Sequence, residues 1–227
     1  MSLCGDSALG AKCSRREILA EVHRRKESFS IMEITNANSG SVPSSLGWLL
    51  RRPGVVFALL WGFAEGTLFF VLPDVELSLV ALYRPRRAAT HMAAIVFGAV
   101  FAGAVMFTWS GHGGGARRAV ARVPAVTPSM FARAQQDLHD HGVWGTSLGP
   151  VRGIPYKVYA VEAPAHCGLW RFLLVTIPAR LWRLVVVWLG FAGAGRVLRG
   201  LHRESWAPIL HAVFWIVMYA IYWATVK

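Results

Sequence analysis

The sequence predicts an all-α integral membrane protein: multi-pass helices with two pseudo-inverted, proline-broken segments that re-enter the membrane. Three observations carry this. The 227 residues are 55% hydrophobic and only 16% charged, with a mean hydropathy of +0.43, against about a quarter charged in ordinary soluble domains. Apolar runs of spanning length recur at Gly54–Pro73, Ala88–Gly111, Leu169–Gly195 and Trp206–Val226, where about 20 apolar residues cross a bilayer core as a helix. Two apolar stretches, Trp61–Leu82 and Val143–Ala165, are each interrupted by a proline and carry ionisable residues of opposite sign.

Those two stretches are the most informative part of the chain. The first holds Glu65, Asp74 and Glu76 around Pro73; the second holds Arg152 and Lys157 around Pro155. Ionisable groups inside membrane-length segments are costly, face a bundle interior or a water-filled cavity, and mark functional sites by default. Proline-interrupted segments at matching places in two halves point to a transporter-like site built from broken helices.

Residues 1–45 are polar and end in a Ser/Gly/Asn-rich stretch, so they read as a disordered tail; Arg15–Lys26 is its one candidate helix. The start of the chain lacks the apolar core of a secretory signal, and its acidic residues argue against a transit peptide. Residues 46–227 form the polytopic membrane domain. Pro73, with Gly62 and Gly66, argues against one straight helix from Gly54 to Leu82, because proline removes a donor and crowds the preceding turn. The segment either spans and continues outside, or dips in, breaks at Pro73 and returns. Ala88–Gly111 is the clearest helix, with Gly98, Ala99, Ala102 and Gly103 allowing close helix approach. Pro124–His141 carries Met130, Phe131, Ala134 and Leu138 at helical spacing and reads as an amphipathic or interfacial helix joining the halves. Leu169–Gly195 is interrupted by Pro178 and carries Arg180 and Arg183. Trp206, Trp215, Tyr219, Tyr222 and Trp223 give the last span interfacial aromatics. The loop charges mildly favour every run crossing over two re-entrant runs, and topology stays open.

The net charge of +12 lies in arginines that flank apolar runs, where basic residues meet anionic lipid surfaces. No nucleic-acid motif accompanies it, so nucleic acid is not an expected partner. Cys4, Cys13 and Cys167 form neither a disulfide framework nor a zinc pattern. Asp137, His139, Asp140 and His141 read as a solvated helix end rather than a metal site, and His112 in GHGGG as a loop, since the Lys-Ser/Thr of a phosphate loop is missing. No catalytic arrangement, cofactor or metal site is expected, and the chain is not read as an enzyme. Homo-oligomers are left open.

The run from Gly142, GVWGTSLGPVRGIPYKVYAVEAPAHCGLWRFLLVTIPAR, together with FAEGTLFFVLPDVELSLVAL upstream, resembles the DedA superfamily (VTT or SNARE-associated Golgi membrane proteins), closest to its YqaA-like branch. The resemblance covers about residues 50–200. Glu65 matches the family's early glutamate, Asp74 or Glu76 the acid beside its proline, and Arg152, Pro155 and Lys157 its second segment, where the family's second arginine is a lysine here. The resemblance implies movement of phospholipid or polyprenyl phosphate between leaflets in a bacterial inner (plasma) membrane. In that reading Glu65, Asp74, Glu76, Arg152, Lys157, Arg180 and Arg183 line a substrate or proton path, with acids meeting bases near the membrane middle, and transport is coupled to protons or the acids only neutralise the bases. The alternatives are a non-transporting membrane scaffold or envelope-homeostasis protein, and a proton-coupled small-solute transporter.

Overall fold

The chain breaks at both prolines, and short helices flank each break. A computed structural model describes residues 47–69, 71–124 and 126–225; the expectations for the tail and for Arg15–Lys26 fall outside them. Among the described residues every regular element is helical. In chain order the main ones are α1 (Arg52–Thr67), α2 (Asp74–Tyr83), α3 (Pro85–Gly111), α4 (Gly115–Val120), α5 (Pro128–His141), a 3₁₀ stretch (Gly142–Leu148), α6 (Gly149–Arg152), α7 (Tyr156–Glu162), α8 (Leu169–Gly200) and α9 (Ala207–Thr225). Among the described residues three helices are long and apolar enough to cross a membrane: Pro85–Gly111, Leu169–Gly200 and Ala207–Ala224. Large apolar side chains such as Phe97, Phe101, Leu174, Leu189 and Ile216 point outward from them. On a membrane protein that surface is the lipid-facing one.

Close backbone approach joins α1 to α3. A Cβ on Gly62 would collide with the backbone of Ile95, and one on Gly98 with the carbonyl of Leu59. Glycine is needed there because the two backbones touch, which is how helices gain dispersion contact where lipid offers no hydrophobic drive. Leu77, Ile95 and Leu184 seal the core that α1, α2, α3 and α8 share. A second core surrounds α7, every residue of which is buried, with Met106, Val120, Leu138 and Phe172 around Val158 and Tyr159. The apolar face of α5, Met130, Phe131, Ala134 and Leu138, packs into this second core. The helix is amphipathic, and that face meets protein rather than lipid.

Side chains answer the freed backbone groups of the first break. There α1 ends as the Thr67 hydroxyl donates back to the Ala64 carbonyl at 2.9 Å. Trp61 Nε1 donates to the Val71 carbonyl at 2.9 Å, Lys157 Nζ to the Phe69 carbonyl at 2.5 Å, and the Leu72 N–H to the Tyr219 hydroxyl at 3.0 Å. Irregular backbone at membrane depth is tolerated only where protein or water satisfies it in this way. Pro73 then sits just ahead of α2, whose first turn carries Asp74 and Glu76, the charge sign a helix N-terminus favours. At the second break α6 stops at Gly153, which is left-handed with φ 68°, and extended Pro155 starts α7.

Pro178 does not interrupt the third long run, contrary to expectation: α8 is continuous from Leu169 to Gly200. Just before it, the Thr176 hydroxyl donates to the Phe172 carbonyl at 2.9 Å.

Candidate anion site at the head of an apolar cavity

Five ionisable side chains from four helices meet at one place. Glu65 comes from α1, Asp74 from the start of α2, Lys157 from α7, and Arg180 and Arg183 from α8. Arginines three apart share a helix face, so both point at the first break. Arg180 Nη1 donates to Glu65 Oε2 at 2.6 Å, both side chains being 5% exposed or less. Arg183 Nη1 lies 3.3 Å from Asp74 Oδ2. Lys157 reaches the same region and donates to the Phe69 carbonyl in the break. The two broken segments therefore touch, yet the principal partners of the acids are arginines of α8.

Aromatic packing fixes Arg180 from a further direction. Its guanidinium lies 4.3 Å from the Tyr156 ring centroid. The Tyr156 ring stacks on Phe172 at 5.7 Å, and its hydroxyl shares a 2.9 Å hydrogen bond with Thr176 Oγ1. Held this way, Arg180 offers Nη1 to Glu65, while its Nε and Nη2 are buried with no hydrogen-bond partner among the described residues. Arg183 Nε and Asp74 Oδ1 are in the same state. Nε and Nη2 form one edge of the guanidinium, the fork that binds two oxygens of a carboxylate or phosphate. Buried polar atoms normally find partners. Three cations face two carboxylates here, so the cluster has room for one more negative charge.

The cluster borders a cavity of about 950 Å³. Away from the charges its walls are mostly apolar, supplied by α8 (Val186, Val187, Phe191), by α9 (Leu210, Phe214, Met218) and by the second break (Pro150, Ile154, Pro155). Polar tethers hold α9 against α2 and the first break. His211 Nε2 lies 2.9 Å from Ser78 Oγ, Trp215 Nε1 donates to the same oxygen at 2.9 Å, and Tyr219 takes the Leu72 N–H.

Two expected members of this site lie elsewhere. Arg152 is the last residue of α6, is about half exposed, and forms an ion pair with Asp137 of α5. The turn at Gly153 separates it from Lys157, so the two bases of the second segment have different partners. Glu76 bonds His91 of α3, with Oε1 2.5 Å from Nδ1, and both are buried. It follows Asp74 by two residues, which on a helix puts it on another face. The reading of Asp137 as part of a solvated helix end is also corrected. His139, Asp140 and His141 are exposed, but Asp137 is 1% exposed and accepts a 2.6 Å hydrogen bond from the Tyr159 hydroxyl. Among the described residues no group of three or more His, Cys, Asp or Glu side chains is placed to hold a metal ion.

Sequence reasoning missed Tyr156, His91 and the Ser78–His211 contact. His91 and His211 both interrupt apolar spans, the signal that singled out Glu65. Tyr156 adjoins Lys157 directly after the proline, but nothing in its spacing shows that Arg180 lies over its ring. In comparisons with protein-family models, curated proteins and solved structures, nothing matches this chain.

Proposed function

We propose that the protein moves phosphate-headed lipids between the leaflets of a membrane. The observation that carries this is the partnerless edge of Arg180, buried beside a largely apolar cavity. A head group crossing a hydrocarbon slab needs cationic donors in place of its hydration, and charge-assisted bonds to phosphate are the stronger class. Arg180 and Arg183 supply the donors, Lys157 adds charge, and Glu65 with Asp74 keep the arginines compensated when no anion is present. The apolar walls suit the tails. The resemblance to the DedA superfamily supports the same reading, including a re-entrant placement of the two broken segments and a bacterial plasma membrane as the location.

The test is purified full-length protein in liposomes carrying a fluorescent diacyl phospholipid, or a diacylglycerol analogue with the same label and no phosphate. Accelerated movement of the phospholipid, with little for the phosphate-free analogue, is expected. Equal rates for both, or no acceleration of either, refute the proposal; the second outcome favours a buried ion-pair network that only holds the breaks together.

A further inference from the structure

We infer that the apolar part of the cavity is a blind-ended slot for one acyl chain, and that Gly190 and Ala194 set its width. This rests on the phosphate-headed substrate proposed above and specifies the tail. Small residues one turn apart on a membrane helix ordinarily let a neighbouring helix come close. Here they do the reverse: Gly190 and Ala194 border the cavity, and a Cβ on Gly190 would meet no atom within 4 Å. The facing helix α9 is held away by its bonds to Ser78 and Leu72. The missing side-chain volume is therefore left as open space.

The slot runs from the charged cluster to an apolar end, while the cavity also reaches the second break at Gly149, Pro150 and Ile154. At the head is Arg180, 4% exposed, with Nε and Nη2 lacking partners. At the other end Leu82, Leu198 and Ala207 border the cavity and belong to one packed cluster with Tyr83 and Phe191. Arg183 and Leu198 both line it, and the fifteen residue steps of α8 from one to the other rise about 22 Å. One leaflet of hydrocarbon is about 15 Å deep, so the slot accepts a full acyl chain laid along the helix with its phosphate at the arginines. A polyprenyl chain of many isoprene units is longer than the slot and meets the cluster at its closed end.

The experiment measures lipid retention by the detergent-purified full-length protein in native mass spectrometry, using phosphatidylglycerols of graded acyl length and polyprenyl phosphate. Inorganic phosphate, followed by phosphorus NMR line broadening, is the tail-free control. Affinity is expected to rise with chain length and then level off once the slot is filled. Gly190→Leu is expected to move that plateau to shorter chains and to weaken the longest by about tenfold, the worth of roughly two displaced methylenes, leaving inorganic phosphate unchanged. Leucine is a better helix former than glycine, and Ala194→Leu gives a second variant at the same wall. Polyprenyl phosphate binding more tightly than every acyl lipid overturns the inference. So does affinity indifferent to chain length and to both substitutions while inorganic phosphate still binds. Failure of the wild-type protein to bind inorganic phosphate or any of the lipids removes the functional reading and this inference with it.

Discussion

Glu65 of α1 and Arg180 of α8 form a buried ion pair at 2.6 Å across 115 residues of sequence. The pair ties the end of α1, just before the first break, to the middle of the longest helix. It also explains why only one edge of the guanidinium is free. Glu65→Ala leaves a buried arginine uncompensated, a change worth about 3–5 kcal/mol. We expect a clear drop in thermal stability in detergent, and a Glu65→Gln/Arg180→Gln double variant less destabilised than the sum of the single changes, as for directly coupled residues. Additive losses would show that the pair is not the link.

Tyr156 holds Arg180 through its ring face. Tyr156→Phe keeps the ring and loses the hydroxyl bond to Thr176, a cost of about 1 kcal/mol; lipid movement should stay near wild type. Tyr156→Leu loses the cation–π contact and frees the guanidinium, and movement should fall several-fold. Equal effects of the two substitutions would place the role of Tyr156 in packing alone.

Arg152 is predicted to be dispensable for lipid binding. Its partner is Asp137, outside the cavity, and its half-exposed position makes the pair weak. Arg152→Ala should leave lipid affinity within about twofold of wild type. Asp137→Ala strands the buried Tyr159 hydroxyl and should cost about 1–3 kcal/mol of stability, measured by thermal unfolding in detergent. Loss of lipid binding in a well-folded Arg152→Ala protein would return that residue to the site.

The contact between α1 and α3 should tolerate no side chain at its centre. Gly98→Leu drives atoms into the Leu59 carbonyl, and overpacking of this kind costs about 1–3 kcal/mol or more. Reduced yield of monodisperse protein on size exclusion is the expected result. Gly193→Leu on α8, where a Cβ meets no atom within 4 Å, should behave as wild type.

How much of this was legible in the sequence depends on the scale of the feature. Hydropathy located the three long helices, because spanning length and apolar composition are properties of a segment by itself; it also counted Gly54–Pro73, where the helix is only 16 residues long. Pro73 and Pro155 marked real breaks; Pro178 looked the same in sequence, yet α8 runs through it. Partner choice was not legible. Burial cost says that Glu65 must be compensated, but not whether by Arg152, Lys157 or Arg180, because that depends on how α8 crosses the first break. Asp137 was misread for the same reason: DLHDHG looks uniformly polar, and only the rotation of α5 against α7 turns one of its four ionisable residues inward.

The most direct test of the central claim is the rate of phospholipid movement in liposomes containing Arg180→Lys. Lysine keeps the positive charge beside Glu65 but lacks the planar fork, so the protein should remain folded while losing the edge proposed to hold phosphate. A rate at least about tenfold below wild type, with unchanged thermal stability, is the predicted result; losing one charge-assisted contact of about 1.5–3 kcal/mol accounts for it. Movement at the wild-type rate by a well-folded Arg180→Lys protein would contradict the account.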